Sequence, residues 1–529
     1  MRLRLSLAAL AAPALLAAPA LAQTAPTLQD PALVQRYQAT ITPSELAGHL
    51  YVYSDDYMAG RDTGDPGQRF ASLYIAGQYK TMGIGPKGTG EANGNHGLAP
   101  YLQPFDLEQK RLVNQTVTAM RGNETVAASQ LDESMDGDVL FIPVYGQIED
   151  ASPASVVYIG YASDEEMQGL DLDGTYVLMQ PGTPDNPGDR GALQQRAAMA
   201  GSAGARAVLI PTTPTVADQA GRAAGALRGG RLALPSDGAE EDSNGLPPIL
   251  FTGVDVASTL LGTSLADAQA GDTGLMMTVE TEVENNQVPT ENVLAFIEGS
   301  DLKDEIVVIS AHLDHIGVGD GDGDQINNGA DDDGSGTVSI LEIAEAFQQA
   351  KLEGNGPRRS ILFLHVTGEE KGLLGSAYYA DREPVLPLDK TVANLNIDMI
   401  GRHDPSYEGN ENPYVYIIGA ELISTDIDEI NTRVNTDTGL NLDLSKRYNS
   451  PDDPNRFFAR SDHWNFGKHE IPFIFYFTGT HEDYHQPGDH ADKIDYERLA
   501  TISRLVFGTA WQIANQDVPP AVSGVGFTP

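Results

Sequence analysis

The strongest constraint on the fold is a series of short apolar segments between about residues 292 and 515. They read EIVVISA, SILFLHVTG, TVANLNID, PYVYIIG and IPFIFYF. The helical pattern GTVSILEIAEAFQQA follows the first segment, and a long helix is predicted over about residues 495–515. Apolar strands separated by helices predict an α/β fold with a mixed, mostly parallel sheet flanked by helices. In such sheets, ligands bind beyond the carboxyl ends of the strands.

Histidine and acidic residues follow these predicted strands at their ends or in the loops beyond them. The set consists of His312, Asp314, Asp331, Glu369, Glu370, Asp398 and His485. One such acidic residue alone is usually solvated, but so many at successive strand ends predict a site at one edge of the sheet. The chain contains no cysteine, so a metal there would be held by histidine and carboxylate ligands.

Two zinc ions suit this set. Two histidines and three carboxylates fill two tetrahedral sites only if one carboxylate is shared. His312 and Asp314 are two residues apart on a strand, so Asp314 is expected to accept the proton on the far nitrogen of His312 and to orient the ring. Adjacent carboxylates in an apolar segment are costly unless one binds metal. If Glu370 is a ligand, Glu369 is therefore free to act as a general base.

Five motifs resemble those of a known enzyme family. AHLDHIG, NNGADDDGSG, TGEEKGLLGS, NIDMIG and DYHQPGD are similar, in the same order, to motifs of the co-catalytic dizinc aminopeptidases, the group related to glutamate carboxypeptidase II and the transferrin receptor. The resemblance covers about residues 290–515. The stretch DYMAGRDTGDPGQRFASLYIAGQYKTMGI is also similar to the family's leader segment. The resemblance implies a zinc-dependent exopeptidase that hydrolyses peptides from their N-terminus.

The resemblance also implies a role for each residue of the set. The implied ligands are His312 and Asp398 on one zinc ion, Glu370 and His485 on the other, and Asp331 as the bridge between them. Glu369 would be the general base, which takes a proton from water and passes it to the leaving amine. A cis peptide bond would join Asp331 and Asp332, so that Asp332 supports the backbone bend, and Asp333 receives no role.

Four residues near the ligand motifs are candidates for substrate contacts. They are Asn328, Arg460, His463 and Tyr484. For each of them, local packing or loop hydrogen bonding is the alternative. The run RSDHW also contains serine, aspartate and histidine, but neighbours on one element do not converge as a catalytic triad, and no G-x-S-x-G elbow is present.

The stretch GDGDGDQ is similar to the first half of a calcium-binding loop. Asp320, Asp322 and Asp324 would occupy its first three ligand positions. Gln325 stands where such a loop needs glycine, and the twelfth position holds an aspartate in place of a bidentate glutamate. A solvated turn is therefore favoured over a Ca²⁺ site.

Changes of pattern divide the chain into five parts. Residues 1–22 have a short positive start, an apolar run and an Ala-Leu-Ala ending, which is typical of a secretory signal peptide. Residues 23–137 are assigned to the N-terminal segment of the peptidase domain, 276–518 to its main part and 519–529 to a tail. Short strands and turn signals predict a compact β-rich module over 138–275, similar to the family's inserted protease-associated domain.

Charge and composition restrict the partners. The chain has 33 Lys and Arg against 75 Asp and Glu, a net charge of −42, which is repelled by nucleic acid and by anionic membranes. No segment after the signal approaches the length needed to span a bilayer. An exported protein without cysteine fits a bacterial periplasm or the extracellular medium. The expected partners are peptide substrates.

Three other functions remain open on this fold. A carboxypeptidase would need a basic pocket for the terminal carboxylate of its substrate. A glutaminyl cyclase would use a single zinc ion, which the five-ligand set disfavours. A receptor-like protein without activity would be expected to lack ligands or the base, whereas all six positions are filled here.

Overall fold

The fold is described from a computed structural model of the chain. It describes residues 30–92, 97–130, 148, 150–186, 189–211, 229–235, 247–319, 322–409, 413–450 and 453–523. The expected signal peptide and Asp320 lie outside these residues.

Fifteen strands form one connected sheet within the described part of the chain. They are β1 (Gly85–Pro86), β2 (Leu102–Arg121), β3 (Glu124–Gln130), β4 (Ala154–Tyr158), β5 (Tyr176–Leu178), β6 (Ala207–Pro211), β7 (Arg231–Ala233), β8 (Ile249–Thr252), β9 (Thr273–Ile297), β10 (Leu302–His312), β11 (Arg359–Val366), β12 (Thr391–Ile397), β13 (Tyr414–Ile418), β14 (Asp443–Ser445) and β15 (Phe473–Phe477).

The α-helices of the described residues lie before the first strand, between the strands and, for the last helix, after β15. They are α1 (Pro31–Gln38), α2 (Pro43–Tyr53), α3 (Pro66–Met82), α4 (Asp164–Met167), α5 (Arg190–Ser202), α6 (Val254–Leu261), α7 (Gly336–Leu352), α8 (Leu374–Ala377), α9 (Ala420–Ile423), α10 (Thr425–Asp437), α11 (His463–Gly467) and α12 (Tyr496–Asn515). None of them is both long and apolar enough to cross a lipid bilayer.

The predicted mixed, mostly parallel sheet is confirmed. Its main part has the strand order β14-β13-β15-β12-β10-β11-β9. The pairs β10–β11, β10–β12, β12–β15 and β13–β14 are parallel, whereas β9–β11 and β13–β15 are antiparallel. The parallel strands end at one edge, which is where the sequence predicts the site.

Alternation along β10 explains why both faces of the sheet are covered. Val307 and Ile309 belong to the core beneath α7, α12 and the N-terminal helices, while Val308 faces the opposite core, which contains Tyr379 and Phe466. Successive side chains of a strand point to opposite faces, so an uninterrupted apolar run needs cover on both sides.

The inserted region, residues 138–275, combines short strands with helices in its described part. Strands β4, β5, β6 and β8 are parallel to one another and follow in that order. Helix α5 packs over them through Ala197 and Ala200, which share a core with Val157, Val177 and Val208. Parallel strands need crossovers, and the small-residue helix supplies one, so the described part of this region has α/β character.

A long antiparallel ribbon connects the two regions. β2 pairs with β9 from Leu102 opposite Val293 to Met120 opposite Met276. The C-terminal end of β9 pairs with β11, and its N-terminal end pairs with β4. The expected domain boundary between residues 275 and 276 therefore falls inside one continuous strand.

A buried histidine should make stability depend on pH. His365 on β11 is fully buried, its Nε2 lies 2.7 Å from the Tyr79 hydroxyl, and burial lowers the pKa of His365 to about 3. The unfolded chain binds a proton near pH 6.5, whereas the folded protein does not until about pH 3. Acid therefore favours unfolding, and this contribution to stability is lost as the pH falls from about 6.5 toward about 3.

We expect His365→Gln to lose less stability than the wild type on acidification. Between pH 7 and pH 5 the difference should be about 2 kcal/mol in the free energy of unfolding, measured by urea denaturation. An equally steep pH dependence in the variant would contradict this interpretation.

Candidate metal centre

Loops beyond the parallel strands bring most of the predicted site residues together. His312 ends β10, Asp398 follows β12, and Glu369 and Glu370 follow β11. His485 comes from the loop after β15, and the aspartate loop before α7 completes the group. Except for His485, whose side chain is 35% exposed, these side chains are buried or nearly so, which brings acidic groups and imidazoles close together.

Asp332 lies at the centre of this group. Its Oδ1 is 3.2 Å from His312 Nε2, and its Oδ2 is 3.1 Å from His485 Nε2. His312 Nε2 is also 3.7 Å from Asp398 Oδ1, and His485 Nε2 is 3.1 Å from Glu370 Oε2. The two oxygens of one carboxylate thus face two separate pairs, each with one histidine and one acidic residue.

Asp331 does not occupy this position, so the expectation that it bridges is wrong by one residue. Its Oδ1 accepts a hydrogen bond from Gly401 N at 2.6 Å, and its Oδ2 lies 3.3 Å from His481 Nε2. The cis peptide bond joins Asp332 and Asp333 instead of Asp331 and Asp332. Three consecutive aspartates point in different directions, and spacing alone does not tell which of them faces the edge of the sheet.

Asp333 connects three backbone segments of the site. Its Oδ2 accepts a hydrogen bond from His312 N at 3.2 Å, and its Oδ1 accepts from Met399 N at 3.2 Å and Gly336 N at 2.9 Å. His312 is itself in the group and Met399 follows Asp398. The carboxylate to which the sequence assigned no role therefore holds the backbone beside two of the clustered side chains.

Asp314 is buried at the site, but its contacts differ from those expected. His312 Nδ1 lies 3.1 Å from the backbone oxygen of Asp314 and 3.8 Å from its Oδ1, so the carbonyl is the closer partner of the imidazole. The carboxylate instead accepts hydrogen bonds from the Thr63 hydroxyl at 2.7 Å and from Glu369 N at 3.2 Å. Asp314 thus fixes the backbone that carries Glu369.

The two adjacent glutamates have opposite electrostatic surroundings. Burial raises the pKa of Glu369 well above its ordinary value, and Glu370 and Asp398 add to that effect against His312. Burial also acts to raise the pKa of Glu370, but hydrogen bonds from His315 and His485 outweigh it and lower that pKa to about 2. Neighbouring carboxyl groups with separated pKa values can take different chemical roles.

His315 is a residue of this centre that the sequence reasoning missed. It is fully buried, and its Nδ1 lies 2.7 Å from Glu370 Oε1. Glu370 therefore presents Oε2 to His485 and Oε1 to His315. The second histidine of AHLDHIG was the available signal, since it lies three residues after His312 in the same loop.

The donor atoms fit bound metal cations. His312 Nδ1 is directed to a carbonyl, so the proton is placed there and Nε2 carries the lone pair. That Nε2 is buried and makes no hydrogen bond, yet carboxylate oxygens lie 3.2 and 3.7 Å away. Burial lowers the pKa of His312, but the surrounding carboxylates raise it well above its ordinary value. Acceptor atoms that face one another in this way favour a cation between them.

Two of the four expected substrate residues line the cavity at this centre. Arg460 and Tyr484 lie on its wall, where an Arg460 Nη2 donates to the Tyr484 hydroxyl at 3.2 Å. The other lining residues are Asp332, Glu369, Asp398, Met399, Phe457, Phe475, Phe477, Thr480 and His485. The cavity thus combines an acidic floor with aromatic walls.

Asn328 and His463 do not line this cavity. The Asn328 amide donates to Asp56 Oδ1 at 2.9 Å. His463 is buried behind the wall, with its ring 4.6 Å from that of Phe475 and its Nε2 2.9 Å from Phe458 O. Both side chains have packing and loop contacts instead, which was the alternative for each.

The Ca²⁺ site that the sequence analysis disfavoured at Asp320, Asp322 and Asp324 receives no support from the described residues. Asp324 accepts a hydrogen bond from Ile326 N and lies 3.3 Å from His490 Nε2. In the described part of the chain, the ligand groups close enough to hold a metal are His312, Asp333 and Asp398, and His315, Asp332 and Glu370. Asp322 and Asp324 belong to neither.

Comparison with known protein families and sequences identifies relatives. Residues 292–510 match the model of peptidase family M28. Leucine aminopeptidase 2 of Trichophyton equinum is 32% identical over 223 residues, which are 41% of this chain and 39% of that protein. A probable leucine aminopeptidase 2 of Aspergillus oryzae is 28% identical over 287 residues, 49% of this chain and 52% of that protein. The chain thus spans about two fifths to one half of these curated relatives.

Solved structures share the fold over nearly the whole chain. The aminopeptidase from Aneurinibacillus sp. strain AM-1 has a TM-score of 0.55 at 19% identity, covering 94% of this chain and 98% of its own. A zinc aminopeptidase from Bacillus subtilis has a TM-score of 0.51 at 19% identity, covering 90% and 97%. At this identity the likeness shows a common fold.

We expect substitutions at the two neighbouring aspartates to separate their roles. Asp332→Asn replaces one of the two facing oxygens with an amide nitrogen that cannot bind a cation, so Zn²⁺ affinity should fall by at least roughly 100-fold. Asp331→Asn keeps an acceptor for Gly401 N and should bind Zn²⁺ nearly as tightly as the wild type. Both Zn²⁺ affinities are measured by calorimetric titration of chelator-treated protein. A large loss of affinity in Asp331→Asn with little loss in Asp332→Asn would show instead that Asp331 is the bridging ligand.

Proposed function

We propose that this chain, whose residues 292–510 match the model of peptidase family M28, is a zinc aminopeptidase that hydrolyses the N-terminal residue from peptides. The observation that carries this proposal is the Asp332 carboxylate, whose two oxygens face two separate pairs of histidine and acidic side chains. One shared carboxylate between two such pairs is the arrangement that two neighbouring zinc ions require.

The ligand assignment follows from these distances. His312 and Asp398 would hold one ion, His485 and Glu370 would hold the other, and Asp332 would bridge them. Zinc at these positions supplies Lewis acidity, which lowers the pKa of water and polarises the scissile carbonyl. The family match and the zinc aminopeptidase fold support zinc as the metal.

Glu369 is the proposed general base. It lines the cavity, its side chain is 12% exposed, and its Oε2 is 4.0 Å from His312 Nε2. Burial raises its pKa, so it can accept a proton from the attacking water and return it to the leaving amine. Asp314 holds the backbone of this residue and is a positioning residue rather than a proton carrier.

The cavity wall supplies hydrogen-bond donors for the substrate. The Tyr484 hydroxyl accepts from Arg460 and retains its own proton for a substrate oxygen. Hydroxyl and guanidinium donors beside the reacting carbonyl would stabilise the negative charge that develops on its oxygen. A free amino terminus would offer its nitrogen lone pair to the metal centre, and the walls formed by Phe457, Phe475 and Phe477 favour an apolar first side chain.

Export is part of the proposal. The positive start, apolar run and Ala-Leu-Ala ending of residues 1–22 support a signal peptide that is removed before Gln23. Residues 138–275 are proposed to be a protease-associated domain inserted between β3 and the end of the ribbon.

A substrate panel tests the direction of cleavage. We expect purified protein to hydrolyse leucyl and phenylalanyl amides with a free amine, and to lose that activity with a chelator and regain it with ZnCl₂. The matched N-acetylated substrates should not be cleaved, because the nitrogen of an amide has no lone pair available for the metal centre. The carboxypeptidase alternative would be favoured if the protein cleaved N-acetylated peptides with a free C-terminus and left the substrates with a free amine intact. Arg460 would then be the basic residue that binds the terminal carboxylate.

The adjacent glutamates provide a matched pair of variants. Glu369→Gln should lower kcat by roughly 10²- to 10⁴-fold and leave the zinc content unchanged, because it removes a base but no ligand. Glu370→Gln should lower the zinc content itself. Zinc is measured by elemental analysis after dialysis, and full activity in Glu369→Gln would contradict the mechanism.

A further inference from the structure

A fully buried arginine from the N-terminal segment lies against the metal centre. Arg61 has no exposed surface, and its donors are directed to backbone oxygens. Its Nε donates to Leu313 O at 3.2 Å, its Nη1 to Asn328 O at 2.6 Å and its Nη2 to Gly329 O at 2.8 Å. These carbonyls lie between His312 and Asp314 and at the start of the loop that carries Asp332. One guanidinium therefore joins two ligand-bearing segments.

The absence of an acidic partner distinguishes Arg61 from most buried arginines. Within the described residues it makes no ion pair, and its further contacts are Tyr53 O at 3.2 Å, Asp332 O at 3.5 Å and the Tyr53 ring at 4.6 Å. A buried cation is costly unless its surroundings compensate for it. Here the five N–H donors of the guanidinium group are matched to backbone carbonyls. The single ammonium group of a lysine could not reach all of these carbonyls at once.

The turn that presents Arg61 is strained. Ala59, Gly60 and Arg61 have φ values of 48°, 67° and 50°, in the left-handed region. A Cβ on Gly60 would lie 2.4 Å from Gly317 O, so the turn also requires glycine for close approach. Gly317 N and His315 N donate to the carbonyls of Gly60 and Arg61. Unfavourable backbone conformations of this kind persist where surrounding contacts hold them, often at functional sites.

We propose that Arg61 is a positioning residue for the metal centre and sets the direction of the Asp332 carboxylate. Asp489 holds the opposite side of the same loop, since its carboxylate accepts hydrogen bonds from Asp331 N and Asp332 N at 3.0–3.1 Å. The loop is thus held by its carbonyls on one side and its amides on the other. This inference rests on the proposed zinc site, but it assigns part of that site to a segment outside residues 292–510.

Arg359 provides a matched control. It is also fully buried, and it donates to Ile513 O at 2.8 Å and to Gln516 O just after α12, although unlike Arg61 it also forms an ion pair, from its Nε to Glu305 Oε2 at 2.6 Å. Arg→Lys at either position keeps the positive charge and removes the guanidinium fork. Both variants should unfold at lower temperature than the wild type, because each leaves buried carbonyls without donors.

Only Arg61→Lys should weaken metal binding. We expect its Zn²⁺ affinity to fall by roughly 10-fold or more, measured by competition with a chromophoric chelator, with Arg359→Lys near the wild type. Gly60→Ala displaces the turn but keeps Arg61, and it should also lower the Zn²⁺ affinity. This variant tests the proposal if Arg61→Lys does not fold.

Each outcome bears on one proposal. Wild-type protein that binds no Zn²⁺ would contradict the proposed function. Wild-type protein that binds Zn²⁺, with equal affinity in Arg61→Lys and Gly60→Ala, would contradict the role of Arg61. Equal weakening by Arg61→Lys and Arg359→Lys would show a general loss of stability and would also overturn it.

Discussion

The site depends on one electrostatic constraint, the crowding of carboxylates at a buried sheet edge. Asp332, Asp398, Glu369 and Glu370 share a small, poorly exposed volume in which mutual repulsion is strong. The imidazole nitrogens of His312 and His485 face these carboxylate oxygens, so a proton or a metal cation bound between them offsets part of the negative charge. The same crowding that opposes folding without cations therefore selects for small divalent ions between the groups.

The aspartate loop meets this constraint by giving each of three identical side chains a different partner. Asp331 binds an amide of the loop after β12, Asp332 faces the imidazoles, and Asp333 binds the amides beside the ligand strands. The carboxylates of Asp331 and Asp333 thus accept hydrogen bonds from backbone amides, and only that of Asp332 is left to bind a cation. Backbone amides fix these acceptors more firmly than mobile side chains would, which is how a loop can achieve the precision of a regular element.

Much of this arrangement could be predicted because it follows from short-range patterns. Apolar runs locate the strands, and the residues after them locate the edge, so His312, Glu370, Asp398 and His485 were identified together. The identity of the central aspartate could not be predicted, because adjacent loop side chains have no fixed periodicity. Asn328 and His463 were chosen by proximity in sequence, whereas their contacts depend on tertiary packing. Arg61 lies some 250 residues from its partners, and no local pattern links them.

The direction of the strands in the inserted region could not be predicted for a related reason. Short strands and frequent glycine are typical of antiparallel modules, but they do not determine strand direction. The helix rich in alanine between β5 and β6 was visible, and its role as a crossover followed only from the pairing. The sequence pattern thus predicts where strands and helices lie more reliably than it predicts how the strands pair in the sheet.

The length of strand β9 sets the distance between the main sheet and the inserted region. At about 3.3 Å per residue, its 25 residues span at most roughly 80 Å, with the main sheet at one end and the inserted region at the other. Inserting or deleting two residues in each of β2 and β9 would change the length of the ribbon, and so the distance to the inserted region, by about 7 Å. Because the number is even, all the other side chains of the ribbon would stay on their own faces. Evolution could in this way adjust the distance between the two regions without altering a single residue that faces the metal centre.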